Sequence, residues 1–328
     1  MNITILYKVS GILLPVFILI AIGIFLSHRK VLNHTTNQGL QRYIFTTAMP
    51  VMLFSAISKY SFTQIFDTQY LIAITAVFFI TMGISIIVAS KYFAQNDKSA
   101  IMNGLTSSFA NSTYIGLAIC YFAFGEEGFA PAVIYTVLTS FLLIIPILLC
   151  RFSDLKASGA KKYKTLWGNF IWEFTSNPLV IGPGLAIIFL AFDISLPETI
   201  NVTLGMIART AGPMALISIG CSLYFIYLEK SDDTQPRLKR EVTFVILMKL
   251  ILSPLIAYLI ITPIVGMDPI WKAVFVLQTA MPSGLSTYII CTQEKVFVRR
   301  NALIILYSTV LSTITLSAVL VFYLGVNV

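Results

Sequence analysis

Charge is scarce in this chain. Lys, Arg, Asp and Glu make up 11% of its 328 residues and hydrophobic residues 57%, whereas a soluble domain carries about 25% charged residues. A water-soluble fold is excluded by that balance. No polar stretch is long enough to form a separate soluble domain. Cysteine is sparse as well. Cys120, Cys150, Cys221 and Cys291 stand singly in or near apolar segments, without the spacing of a metal site or a redox motif. They read as small helix-packing residues. His28 and His34 share a charged loop and form no ligand set. No nucleophile–base pair or metal constellation is readable, so neither an enzyme nor a cofactor is expected. Acids are missing from the centres of the apolar runs: Glu173 stands at the start of one, and the rest fall in loops or at run ends. A carrier built on sodium or proton exchange keeps buried carboxylates for its cation, which disfavours cation/proton antiport. The first run, from Ile12 to Leu26, is followed by Ser27-His28-Arg29. That is no small-residue cleavage site, so the run is expected to stay as a span.

What the chain has instead is apolar runs, several near 20 residues long, enough to cross a hydrocarbon core of about 30 Å. The expected fold is an all-α polytopic membrane protein with ten transmembrane helices. The first five run over about 11–27, 39–58, 69–93, 100–124 and 129–150. The second five run over about 172–192, 202–228, 242–264, 270–291 and 301–324, with an interfacial stretch at 197–207 leading into the seventh. Residues 1–150 and 172–328 form two repeats joined by a basic loop at 151–171. Leu14-Pro15-Val16-Phe17-Ile18 returns as Asn177-Pro178-Leu179-Val180-Ile181, and Ala48-Met49-Pro50 with Leu53 and Ser55 returns as Ala211-Gly212-Pro213 with Leu216 and Ser218, both 163 positions later. Tyr135 and Ser140 match Tyr307 and Ser312, 172 positions later.

The positive charges set the orientation. Of 22 lysines and arginines, 17 lie in or beside the connections that follow spans one, three, five, seven and nine. Basic loops face the cytoplasm, so both termini face outward in what reads as a bacterial inner membrane. The net charge of +8 is then a topology signal and not a sign of a nucleic-acid partner. Five spans per repeat is an odd number. The second copy must therefore cross upside down, and inverted repeats underlie alternating access in secondary transporters.

Two spans carry polar interruptions. Span four contains Thr106-Ser107-Ser108-Phe109-Ala110-Asn111-Ser112-Thr113, and span nine contains Gln278-Thr279-Ala280-Met281-Pro282-Ser283-Gly284-Leu285-Ser286-Thr287. A helix broken inside a bilayer survives only where protein or a cavity satisfies its backbone. The break frees N–H groups at the positive end of a half-helix. Two breaks crossing each other would make a compact anion site, with Asn111, Ser112, Thr113, Pro282, Ser283 and Gly284 in it. Small polar residues also let helices pack closely, but interruptions in corresponding positions of both halves favour a binding site. Pro50 and Pro213 kink spans two and seven, either near the site or for packing alone. Ser55 and Ser218 face the cavity or bond back to a carbonyl one turn earlier. Tyr135 is a lateral wall of the site or a packing aromatic. Arg209 and Lys249 are the intramembrane charges; each either snorkels to an interface or attracts a substrate carboxylate.

These stretches resemble the auxin efflux carrier family, whose members include plant auxin exporters and bacterial transporters of malate, malonate and related acids. Leu40-Gln41-Arg42-Tyr43-Ile44-Phe45 running on to Met49-Pro50-Val51-Met52-Leu53-Phe54 looks like the family's second span. Ala110-Asn111-Ser112-Thr113-Tyr114-Ile115-Gly116 with Phe124-Gly125-Glu126-Glu127-Gly128 looks like its fourth span and exit. Ala211-Gly212-Pro213 with Leu216 and Gly220 resembles the seventh span, and Gln278 to Gly284 the ninth. The resemblance implies a sodium/proton antiporter-like fold with crossed broken helices four and nine. It implies a scaffold of helices 1, 2, 6 and 7 that makes a homodimer, a transport part of helices 3–5 and 8–10, and a small organic acid as cargo. Lys249 with Leu250 and Pro254 fits the family's basic residue ahead of a proline. Ala110 departs from the pattern, standing where plant members have a proline, and the loop between spans five and six is short. Both departures favour a bacterial-type member over an auxin carrier. The expected function is therefore alternating-access, elevator-like transport of a mono- or dicarboxylate. An ion-coupled carrier of the same fold and a non-transporting membrane sensor stand as alternatives.

Overall fold

A computed structural model describes residues 3–60, 67–93, 96–158, 178–228 and 236–326. Most of the expected basic loop, from 159 to 171, and the start of the expected sixth span, 172–177, lie outside the described residues. The architecture is helical throughout. In chain order the helices are α1 (Ile3–His28), α2 (His34–Tyr43), α3 (Met49–Ile57), α4 (Thr68–Tyr92), α5 (Asp97–Ser108), α6 (Leu117–Leu142) and α7 (Ile144–Ser158). They continue as α8 (Pro178–Ala191), α9 (Glu198–Leu228), α10 (Pro236–Leu247), α11 (Ser253–Ile261), α12 (Pro269–Thr279), α13 (Leu285–Gln293) and α14 (Val298–Val326). Helix starts carry their own acceptors: Asn33, Asp67, Asn96 and Asp268 each accept a backbone N–H of the first turn, groups that have no partner within the helix itself.

Among the described residues six stretches are long and apolar enough to cross a membrane: Tyr7–His28, Thr68–Tyr92, Ser112–Asp154, Glu198–Leu228, Arg237–Ile261 and Val298–Leu324. The 43-residue stretch Ser112–Asp154 is not one straight rod. Gly125 breaks it with φ 63° and ψ −148°, a backbone conformation open to a residue without Cβ. The remaining apolar segments are shorter or interrupted.

Among the described residues three π-helical turns mark where regular geometry yields: Ile44–Ala48, Ser112–Gly116 and Met248–Leu252. The first and third directly precede the helices that open on Met49-Pro50 and Ser253-Pro254. A proline ring clashes with the carbonyl four residues back and offers no N–H. A widened turn relieves both problems, and Met49 N–H and Ser253 N–H reach back five residues, to the Ile44 and Met248 carbonyls. Pro213 behaves differently from its expected counterpart Pro50. It lies exposed within α9, which continues through it from Glu198 to Leu228.

The helices pack against one another along most of the chain. α1 crosses α9, and α3 packs against α8 and α9. α4 packs on α5, α12 on α6 and α11, and α14 on α10 and α13. The α1–α9 crossing depends on two glycines. A Cβ on Gly220 would run into the Ile20 carbonyl and the Gly23 Cα, and one on Gly23 into the Ile217 carbonyl. Neighbouring backbone, unlike a flexible side chain, cannot swing aside. Gly220→Val is therefore expected to cost about 1–3 kcal/mol through overpacking and to lower the detergent-solubilised melting temperature by several degrees. An unchanged melting curve would show that the two helices separate without cost.

Candidate functional site

The two interrupted segments meet. α5 ends at Ser108, and Phe109 follows in extended backbone; α12 ends at Thr279, and Gly284 is again extended. Between them lies a single antiparallel bridge, Ala110 to Ser283. Asn111 N–H donates to the Pro282 carbonyl at 2.7 Å, and Gly284 N–H donates to the Phe109 carbonyl at 3.1 Å. Each break thus answers the unpaired backbone groups of the other. Side chains reinforce the crossing. Ser283 Oγ donates to the Thr106 carbonyl at 3.0 Å, and Ser283 N–H donates to Ser308 Oγ at 3.3 Å. Asn301 on α14 spans both sides, its Nδ2 donating to Thr106 Oγ1 and to Thr287 Oγ1, each at 2.8 Å.

Helix starts follow both breaks. Asn111 precedes the π turn at Ser112 and Gly284 precedes α13, and neither start has a side-chain cap. Asn111 accepts Ile115 N–H and Gly116 N–H on its carbonyl. Its side chain is buried, and neither Oδ1 nor Nδ2 has a hydrogen-bond partner among the described residues; Ser112 Oγ is likewise unpaired. A buried amide without partners costs about 1–3 kcal/mol, so this arrangement is one that a bound polar ligand would relieve.

A cavity of about 750 Å³ reaches this region. Tyr114, Leu285 and Ser286, beside the two helix starts, line one part of it. Arg42, Arg151 and Glu294 line another, on the side that carries the basic connections. α2 and α9 close it with a polar seam: Ser218 Oγ donates to Asn37 Oδ1 at 2.8 Å, and Asn37 Nδ2 and Gln41 Nε2 both donate to Ser222 Oγ, at 3.1 and 3.0 Å. Lys98 bridges Asp154 and Glu294, with 2.9 Å to Glu294. Burial by itself would lower the Lys98 pKa, but the two carboxylates outweigh it and hold it above the usual lysine value.

The other expected site residues are dispersed. Thr113 and Pro282 are buried at the breaks. Ser55 is half-buried on α3, away from the residues that line the cavity. Tyr135 is buried on α6 with its ring edge-on to Phe275, 6.1 Å between centroids. Pro50 is buried, and Pro213 and Arg209 are exposed on α9. Lys249 does not snorkel. It is fully buried, and its Nζ donates to the Thr279 carbonyl at 3.2 Å.

Two residues were hidden in the sequence. Glu241 lies one position before the expected start of span eight, yet it is fully buried on α10, 3.1 Å from Arg300 Nε and accepting from Asn103 Nδ2 at 3.2 Å. An acid at the end of an apolar run is thus fully buried. Asn301 looked like the first residue of a span and is instead buried at the crossing. Hydropathy alone could not separate these from interfacial residues; only the helix that covers them does. Among the described residues no group of three or more His, Cys, Asp and Glu lies together as a metal site.

Comparison with known proteins adds a family. A family model described as "Membrane transport protein" matches residues 8–320. The chain is 23% identical over 319 residues to a "Putative malonate transporter" of Rhizobium meliloti, covering 95% of each chain. It is 26% identical over 308 residues to an "Uncharacterized transporter" of Methanothermobacter thermautotrophicus, covering 92% of this chain and 94% of that one. It is 23% identical over 293 residues to an "Uncharacterized transporter YfdV" of Escherichia coli, covering 88% and 89%.

The hydrogen bonds separate two kinds of asparagine. Asn301→Ala removes the donor shared by Thr106 and Thr287 and is expected to destabilise by about 1–3 kcal/mol. Asn111→Ala, whose side chain has no hydrogen-bond partner among the described residues, is expected to leave thermal stability unchanged or slightly raised. Thermal unfolding of the two purified variants checks the contrast, and equal destabilisation would contradict it.

Proposed function

The chain belongs to the membrane transport protein family, that of the auxin efflux carriers, and on that premise we propose that it is a secondary transporter of a small organic anion. The observation that carries this reading is the crossing. Two uncapped helix starts, an unpartnered buried Asn111 amide and an unpaired Ser112 hydroxyl sit together where the two breaks pair, beside a cavity. Helix starts present free N–H groups and a partial positive charge of roughly half an elementary unit. A carboxylate there accepts from backbone N–H groups and from Asn111 Nδ2 without any covalent chemistry.

Ten spans in two inverted repeats fit the helices as follows. α1, α2 with α3, α4, α5 with the first part of α6, and the rest of α6 with α7 make the first five. α8, α9, α10 with α11, α12 with α13, and α14 make the second. The group α1, α2, α3, α8 and α9 serves as scaffold and homodimer contact. The group containing both breaks carries the anion past it, elevator fashion. With the basic connections taken as cytoplasmic, the cavity wall formed by Arg42, Arg151 and Glu294 supports an inward-facing reading with both termini outside. A substrate shifts that equilibrium only through different affinity for the two states. The relative named as a malonate transporter makes short dicarboxylates the first cargo to test.

Asn111→Ala is expected to reduce malonate flux into proteoliposomes by tenfold or more while leaving the protein folded. Wild-type flux from that variant would refute the assignment of the crossing as the site.

A further inference from the structure

The cavity is long as well as large. Leu285 and Ser286, at the start of α13, and Glu294, just past its end, all line it. A helix of nine residues rises 1.5 Å per residue, about 13 Å in all, so the Glu294 end lies about that far from the crossing. The volume of about 750 Å³ falls in the range of about 300–1,000 Å³ that holds drug-sized ligands. A three-carbon diacid fills a small part of it and cannot touch both ends of α13 at once.

The wall away from the crossing is charged. Arg151 lines it from α7, which packs on α5. Arg151 stands one turn before Asp154, and Lys98 bridges Asp154 to Glu294, which puts Arg151 at the Glu294 end. Arg42 lines the cavity from α2, which packs on α9. Arg42 is exposed, and no carboxylate among the described residues pairs with it. Glu294 is the acid of this lining, and Lys98 Nζ engages it at 2.9 Å, so it does not cancel the two guanidiniums. A guanidinium presents its N–H donors in a planar fork that fits a carboxylate on two bonds. Two of them, from separate elements, suit an anion with two carboxylates better than one with a single carboxylate.

Resting on the reading of the chain as an organic-anion carrier, we propose that the cavity wall shared by Arg42 and Arg151 is a second anion site, which captures dicarboxylates before they reach the crossing. Cations lining a cleft raise the local concentration of an entering anion. The two sites differ physically. Water reaches Arg42, so dissolved salt screens its charge, whereas the buried crossing is screened much less.

Malonate and acetate are the probes, titrated into purified full-length protein at low and at high salt. Stoichiometry and dissociation constant are read for wild type, Arg42→Gln, Arg42→Lys, Arg151→Gln and Asn111→Ala. Wild type is expected to bind two malonates, one of them losing affinity as salt rises, and Asn111→Ala to keep that salt-sensitive event. Arg42→Gln weakens it about fivefold, the size of one exposed charge pair, Arg42→Lys restores most of the loss, and acetate responds less than malonate. Arg42 is exposed and unpaired, so Arg42→Gln melts as wild type does and carries the test even where Arg151→Gln fails to fold. A single salt-insensitive malonate site, unchanged in Arg42→Gln, would overturn the capture site and leave the crossing standing. Malonate binding that survives Asn111→Ala in full and is lost with the arginine variants would overturn the crossing and leave the capture site standing. If wild type binds no malonate, both fall.

Discussion

An unpaired backbone group in an apolar interior costs several kcal/mol, and this fold contains two helices that stop where no water can serve them. Everything at the centre of the molecule follows from how that demand is met. The extended residues at 109–111 and 282–284 supply each other with one N–H···O=C bond in each direction. Neither break is sustainable without the other. The short bridge between Ala110 and Ser283 is therefore less a piece of sheet than a mutual repair.

That repair leaves a remainder, and the remainder is where function enters. Pairing consumes the extended backbone but not the N–H groups of the helices that start next, nor the Asn111 side chain. Asn301 Nδ2, Ser283 Oγ and Lys249 Nζ each find an acceptor inside the protein. At the start of the π turn, the Asn111 amide and the Ser112 hydroxyl are left without partners among the described residues. We propose that a bound polar ligand answers these two groups.

Much of this was legible in the sequence, and the reasons differ by element. Apolar run length and charge scarcity gave a helical membrane protein directly. The polar stretches 106–113 and 278–287 stood out because such residues are unusual inside otherwise apolar spans, and the structure pairs them. Lys249 was identified but not understood, because a lysine two turns into a span looks alike whether it snorkels or bonds a carbonyl. Pro50 and Pro213 occupied equivalent repeat positions, yet a π turn relieves one and the other lies exposed in a continuous helix. Glu241 and Asn301 fall at the edges of expected spans, yet both are fully buried, since hydropathy marks where a span is apolar and not where a neighbouring helix buries its end.

We propose that an anion is held between the two helix starts at the crossing. The most direct measurement is an experimental density map of the purified protein with malonate. Ligand density within hydrogen-bonding distance of Asn111 Nδ2 and the backbone at Ser112 or Leu285 is the predicted result. Continuous helices through residues 109–111 and 280–284, or malonate bound away from the crossing, would contradict it.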